Sequence, residues 1–408
     1  MLVTGVECAS SSRNGRDAGI ECLRDSAGCG LEVNRFDLGT SGLIFCICDS
    51  KRALSSAESE GDFSFIMVNL GLFCLYYCIV LHSSSKSFYN FLSLVSLPMA
   101  YGKVFMINTS FNKAGEQLST ILDFWRYGIT MAQQQGLFYG HGTDNPQDDI
   151  WWLITGTLGL PYEDSQKFLQ ARLTQDEKEL LLQRLFARIV QHIPVAYILQ
   201  QAYFCGLNFF VDERVLIPRS PIGQLIENQF APWVNPDQVH RILDLCTGSG
   251  CIGIACCYAF PEAKVDAVDY SLAALDVAAI NQQSLDVVEQ LELIHSDCWD
   301  SVPDVQYDII VSNPPYVSDD EMASLPQEYG HEPDLALRAQ NHGLHIVEKI
   351  LQQAYRYLAE DGILVVEVGN SQHALIEAYP SIPFTWLEFE HGGDGVFLLT
   401  KEQLGFIA

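Results

Sequence analysis

Five short apolar runs in the second half of the chain set the strongest limit on its fold: RILDLC (241–246), KVDAVD (264–269), LELIH (291–295), YDIIVS (307–312) and GILVVEV (362–368). Strands that are continuously apolar, rather than alternating, are covered on both faces. Regular interruption by helix-patterned stretches then gives a parallel sheet with helices on each side. An α/β domain is therefore expected from about residue 236 onward. FTWLEFE (384–390) and GVFLLT (395–400) follow with no helix between them and are expected to pair as an antiparallel edge.

At 408 residues the chain exceeds one ordinary domain, and its parts differ in character. Residues 1–105 are rich in Ser and Cys and nearly charge-balanced, so almost all of the formal net charge of −28 falls after Met106. Within them FSFIMVNLGLFCLYYCIVL (63–81) is long enough to cross a bilayer, with Asn69 its one strongly polar side chain. It reads as a membrane anchor, as a buried helix, or as translated leader upstream of a true start. The last is the reading adopted, because Met106 opens a well-patterned segment directly after the change in composition. A secretory signal is disfavoured by position and by the missing basic lead-in. No membrane association is expected unless 63–81 is genuinely expressed, and the location expected is the cytoplasm.

After Met106, AGEQLSTILDFWRYGITMAQQ (114–134) places Leu118, Ile121, Leu122, Trp125 and Ile129 at helical spacing, which predicts one helix with one apolar face. WWLITGTLGLP (151–161) predicts another. Thr174 followed by Glu177 is a capping-box signature before ELLLQRLFARIVQHI (179–193), which Pro194 stops. AYFCGLNFFVDERVLIPRS (202–220) carries aromatic and β-branched residues around Gly206 and predicts a hairpin. The expected organisation is an extension over 1–105, a helical domain over 106–197, a hairpin linker over 198–235 and a catalytic domain over 236–408.

The charge excess disfavours a phosphate-tracking surface and suits a basic protein partner. Thirteen cysteines form no CxxC pair and no Cys/His array at zinc spacing, so no metal site is expected. Cys246, Cys251, Cys256 and Cys257 are expected to be buried reduced thiols, and His141, His192, His331 and His391 to have structural roles.

DLCTGSGCIGIA (244–255) ends the first strand and fits G-x-G-x-x-G at Gly248, Gly250 and Gly253. Such glycines let backbone approach a ligand at a helix N-terminus, and alone they also suit a nicotinamide dinucleotide, with Asp269 on a ribose. The neighbouring strand ends narrow the choice. Asp244, Asp269, Asp297 and Asn313 are expected to converge on one crevice. A carboxylate at 244 would repel a pyrophosphate and attract the ammonium of a methionine-derived group. This points to S-adenosylmethionine, held by Asp244, Thr247, Gly248, Gly250, Gly253, Asp269, Asp297 and Asn313, with Asp269 on the ribose hydroxyls and Asp297 near the adenine.

The fourth strand ends in Asn313, Pro314, Pro315 and Tyr316. Prolines cannot donate to a sheet ladder, so the strand stops there. A planar amide or aromatic amine is a poor nucleophile because its nitrogen lone pair is delocalised. Methylating it requires the nitrogen to be held in line with the sulfonium methyl. Asn313 can accept one N–H and the Pro314 carbonyl the other, Pro315 helps lock that carbonyl outward, and Tyr316 can pack over a flat substrate group.

GSGCIG (248–253), the aspartate of AVDYS (267–271) and NPPY (313–316), in this order, resemble the amino-methylating class I S-adenosylmethionine-dependent methyltransferases. The segments 194–227 and EYGHEPDLAL (328–337) resemble the HemK/PrmB family, which methylates glutamine side-chain amides in the translation apparatus. RSPIGQLIE (219–227), YGHGTDNP (139–146) and the C-terminal 384–404 resemble the branch acting on a large-subunit ribosomal protein. The resemblance runs from about 106 to 404. It implies a Rossmann-like, seven-stranded sheet with a small N-terminal helical domain, a cytoplasmic enzyme, a basic ribosomal protein as substrate, and Arg219, Asn313 and Tyr316 as substrate contacts. Two departures stand out: residues 1–105 have no counterpart, and His342 precedes Gly343 where the family has an aspartate. Alternatives are glutamine methylation of release factors, amino-methylation of adenine or cytosine, a non-catalytic ribosome-assembly factor, and a dehydrogenase. The acidic balance disfavours a stable nucleic-acid partner.

Overall fold

The computed structural model of the protein describes residues 23–24, 30–35, 44–47, 111, 113–390 and 392–406. The expectations placed on 63–81, on Met106 and on His391 lie outside the described residues. In the first unit, Met1–Leu92, strands Leu23–Arg24 (β1), Gly30–Arg35 (β2) and Ile44–Ile47 (β3) pair antiparallel in that order. Among the described residues no helix is long and apolar enough to cross a membrane.

In the second unit, Ser93–Ala408, helices come first. The single helix predicted over 114–134 is two. Thr120 sits at φ −117 and ψ 162, its hydroxyl accepting from the Asp123 N–H and its own N–H donating to the Asp123 carboxylate at 3.0 Å. A capping box inside an apolar-periodic run restarts the helix. Ile121–Gln135 (α1) is therefore separate from the turns before it. It buries Ile121, Phe124, Gly128 and Met131, which leaves Leu122, Trp125 and Ile129 on half-buried flanks. Gly128 permits the packing: a Cβ there would lie 2.7 Å from Ile150 and 3.0 Å from Leu185. Those contacts belong to Pro146–Leu158 (α2), which starts at an Asn145 cap, and to Gln175–Val190 (α3), which starts at the expected Thr174/Glu177 box.

Val195–Leu199 (α4) starts beyond Pro194. The hairpin is shorter than its aromatic content predicts, with three residues in each of Ala202–Phe204 (β4) and Leu207–Phe209 (β5). Its two turn residues, Cys205 and Gly206, both have positive φ (47 and 71), the geometry whose twist matches a tight hairpin. The chain then runs irregularly to Ile222–Glu227 (α5).

The sheet strands are Arg241–Leu245 (β6), Lys264–Asp269 (β7), Leu291–His295 (β8), Tyr307–Ser312 (β9), Leu358–Glu367 (β10), Thr385–Trp386 (β11) and Val396–Thr400 (β12). Cys251–Ala259 (α6), Leu272–Ser284 (α7), two single turns Asp319–Met322 (α8) and Asp334–Leu337 (α9), His345–Tyr357 (α10), Gln372–Ala378 (α11) and Lys401–Leu404 (α12) connect or follow them. The order is β11-β12-β10-β9-β6-β7-β8, parallel except where β12 meets β10 and β11. Of the two expected closing strands, β12 lies inside the sheet and FTWLEFE supplies only the two residues of β11 at the edge.

Alternation explains why the strands read as unbroken apolar runs. Ile242, Val265, Ile309, Val311, Ile363 and Val365 face one core, while Leu243, Val268, Ile310, Leu364 and Val366 face the other. The first core is continuous with the helical layer through Phe124, Leu185 and Phe209. Strand order reverses between β6 and β9: from β6 the chain adds β7 and β8 on one side and then crosses to β9 on the other, and open parallel sheets place ligands at the carboxyl ends of strands at such a switch point.

Candidate active site

Leu245 pairs with Ser312 across β6 and β9, and the Ser312 hydroxyl donates to the Leu245 carbonyl at 2.7 Å. The glycine loop and Asn313 therefore leave the sheet side by side. A cavity of about 300 Å³ opens at that point. Asp269, Asp297 and Asn313 line it from the strand ends, together with the glycine loop and the segment 214–220.

The three loop glycines have separate reasons. Gly248 (φ 57) and Gly250 (φ 81) take left-handed backbone, and a Cβ on Gly248 would meet nothing within 4 Å, so the loop presents bare backbone beside the cavity. Gly253 instead lets α6 approach the sheet, because a Cβ there would lie 3.1 Å from Asp244 and 3.3 Å from Leu291.

Asp244 is a correction to the expected crevice. It is fully buried beneath the loop and is not on the cavity wall. One carboxylate oxygen accepts from the Thr247 hydroxyl (2.5 Å) and from the Gly253 N–H (2.9 Å), while the other has no hydrogen-bond partner. Burial pushes its carboxyl up to about 7, opposed by those two hydrogen bonds. The residue shapes the loop from below, because the turn that exposes Gly248 folds over it.

Asp269 lines the cavity from the end of β7. Its two oxygens accept from the N–H groups of Gly248 and Ser271, both at 2.8 Å, which leaves further lone pairs for hydroxyl donors. Burial raises its carboxyl above the usual range. Asp297 is not free, since the Lys349 ammonium lies 3.0 Å from each of its oxygens. Lys349 comes from α10 and also lines the cavity, and no spacing in the sequence pointed to it.

In NPPY, Asn313 and Pro315 line the cavity, Pro314 is buried, and Tyr316 lies outside the lining. The Tyr316 hydroxyl donates to Glu367 at 2.8 Å, and a Cβ on Gly369 would lie 2.6 Å from its ring. The ring expected to cover a substrate is instead seated on the turn after β10. Burial, with the Glu367 carboxylate beside it, raises its hydroxyl well above the ordinary phenol range.

Arg219 lines the cavity and makes a bidentate pair with Glu332, at 2.6 and 2.7 Å. That pair, opposing the cost of burial, holds the Glu332 carboxyl down at about 2. The Ile217 N–H also donates to Glu332, His141 Nε2 stands 3.4 Å away at ion-pair distance, and the Arg219 guanidinium lies over the Tyr329 ring. Residues from YGHGTDNP, VLIPRS and EYGHEP thus meet at one cluster. A second buried cluster joins Arg188 to Asp149 (2.7 Å) and Glu328 (3.3 Å), with His192 on Glu328 at 3.0 Å. His331 Nε2 is 2.8 Å from the Gln191 carbonyl. Cys251, Cys256 and Cys257 are buried as expected, but Cys246 is half-buried and lines the cavity. All four thiols are pushed up by burial, which makes them poor nucleophiles.

A family model described as the methyltransferase small domain matches residues 229–328. Two ribosomal protein uL3 glutamine methyltransferases, from Neisseria meningitidis serogroup B and from serogroup A, are each 46% identical over 301 residues, covering 73% of this chain and 99% of theirs. Among solved structures, a methyltransferase from Pyrococcus furiosus is 15% identical with a TM-score of 0.35, over 55% of this chain and 97% of that one. With so much identity over nearly the whole of those curated relatives, the chain belongs to the HemK/PrmB family of glutamine methyltransferases, in its PrmB branch.

Proposed function

We infer that this protein transfers a methyl group from S-adenosyl-L-methionine to the side-chain amide nitrogen of a glutamine in a large-subunit ribosomal protein, uL3 by the naming of its relatives. The observation that carries this reading is the juxtaposition of an amide side chain, Asn313, with a bare glycine loop across one cavity. The cavity suits the cofactor because the Gly248 backbone is open beside it and the Asp269 carboxylate keeps lone pairs for a ribose diol. Gly248, Asp269 and Asp297 would hold it, with Asp244, Thr247, Gly250 and Gly253 shaping the loop. The bound cofactor supplies a methyl group on a positively charged sulfur.

The chain's own residues do the rest by position. The Asn313 carbonyl accepts one N–H of the target amide and the Pro314 carbonyl the other, which turns the nitrogen lone pair toward the methyl. The fixed φ of the two prolines holds that carbonyl in place. No general base is required before transfer, because the nitrogen's proton can leave to solvent afterwards. Orientation of this kind can supply roughly 7–11 kcal/mol of barrier reduction. The acidic surface draws in a basic substrate protein, and Arg219, held by Glu332, stands on the cavity wall where that substrate enters.

Asn313→Ala tests this directly. Turnover should fall by about a hundredfold or more, since the acceptor loses its alignment. Cofactor affinity measured by calorimetry should stay within about threefold, a shift well under 1 kcal/mol. Undiminished turnover would refute the assigned role.

A further inference from the structure

Glu367 is the last residue of β10 and is about 6% exposed in a strand whose other inward residues are aliphatic. One carboxylate oxygen accepts from the Tyr316 hydroxyl at 2.8 Å and the other from the Ser220 hydroxyl at 2.5 Å. Tyr316 ends the NPPY run, and Ser220 follows Arg219 on the cavity wall. The carboxylate therefore ties together two chain segments that border the acceptor end of the cavity. We propose that Glu367 is a positioning residue for methyl transfer, acting through Tyr316 to hold the Asn313 and Pro314 grip in place; this rests on the function proposed above.

The chemistry favours position over packing. A buried carboxylate held by two neutral hydroxyls is costly, and a strand selected for stability alone would carry an apolar side chain there. A carboxylate is also an acceptor only, so both hydroxyls must donate and the direction of each is set. An amide in its place would present one acceptor and one donor group, and one hydroxyl could reverse. Tyr316 is restrained from its other side as well. The Ser371 hydroxyl donates to its carbonyl at 2.9 Å, and Gly369 lies against the ring closely enough to exclude a Cβ. Restraint at the ring, hydroxyl and carbonyl of Tyr316 passes to the two prolines and to Asn313 through a backbone with little freedom.

The test uses the full chain with Glu367→Gln, Tyr316→Phe and the double variant. Each is measured for single-turnover methylation of the ribosomal protein substrate and for cofactor affinity. Glu367→Gln should slow transfer about a hundredfold, as a small misplacement of the acceptor would. Cofactor affinity should be unchanged, because Glu367 does not line the cavity. The double variant should be no slower than the slower single variant, since both changes cut one link. Undiminished turnover in Glu367→Gln, multiplied losses in the double variant, or a loss of cofactor affinity would each overturn the inference. Should Glu367→Gln fail to fold, Ser220→Ala takes its place, with slowed transfer and the same non-additivity with Tyr316→Phe expected and additive losses contradicting it. A wild-type protein unable to methylate glutamine would overturn the underlying function too, whereas an active wild type beside an equally active Glu367→Gln overturns this inference alone.

Discussion

Asp244 illustrates how much a side chain's job depends on which way the chain folds over it. Its carboxyl, at about 7 in the folded protein and 3.8 in an unfolded chain, keeps a proton that the unfolded state has already lost between those values. Folding stability should therefore fall as pH rises through that window and level off above it, by an amount on the order of 4 kcal/mol. Asp244→Asn carries no such proton, so the stability of wild type relative to this variant should decline across the window in urea titrations; a pH-independent difference would contradict the burial described. At this scale the sequence identified the chemistry better than the placement. NPPY, the glycines and Asp269 were legible because each needs a particular backbone or donor set. The downward turn of Asp244, the Lys349 cover on Asp297 and the Glu367 anchor of Tyr316 depend on contacts between residues 51 or 52 positions apart or on loop curvature, which no local pattern encodes. A carboxylate inside GILVVEV was the one available hint of Glu367.

Elements are joined across the molecule by charged pairs rather than by apolar contact alone. Glu332 is held at about 2 against 4.5 in an unfolded chain, so its contribution is full above that higher value and lost as pH falls through the lower one. Glu332→Gln should leave Arg219 without its countercharge, cost about 3–5 kcal/mol at neutral pH and weaken the acid limb of the stability profile. Chemical denaturation at several pH values checks both. Gly253→Ala should destabilise by roughly 1–3 kcal/mol in thermal unfolding, because the added methyl must push α6 off β6 and β8. Strand and helix positions in the α/β part were readable from their continuous apolar runs, and β7, β8 and β9 fall where those runs do. The break at Thr120 was not, since its cap sits inside an unbroken helical period. The hairpin and β11 were overestimated because Phe210, Phe384 and Phe389 pack against the cores without pairing.

For the whole molecule, a formal charge of −28 and the basic substrate protein proposed above would make encounter electrostatic. The specificity ratio kcat/KM for the ribosomal protein should fall on the order of tenfold between low and high salt, with kcat nearly constant, as surface steering is screened. A salt-independent kcat/KM in stopped-flow or steady-state assays would exclude steering. The sheet, the loop and the acceptor grip matter only if they converge on one product. The most direct measurement is to incubate the protein with methyl-labelled cofactor and a cell extract, then to locate the label by peptide mass spectrometry. The account predicts one methyl on the side-chain nitrogen of a glutamine in a large-subunit ribosomal protein, absent with Asn313→Ala; label on a release factor, on a nucleic acid or on no glutamine would contradict it.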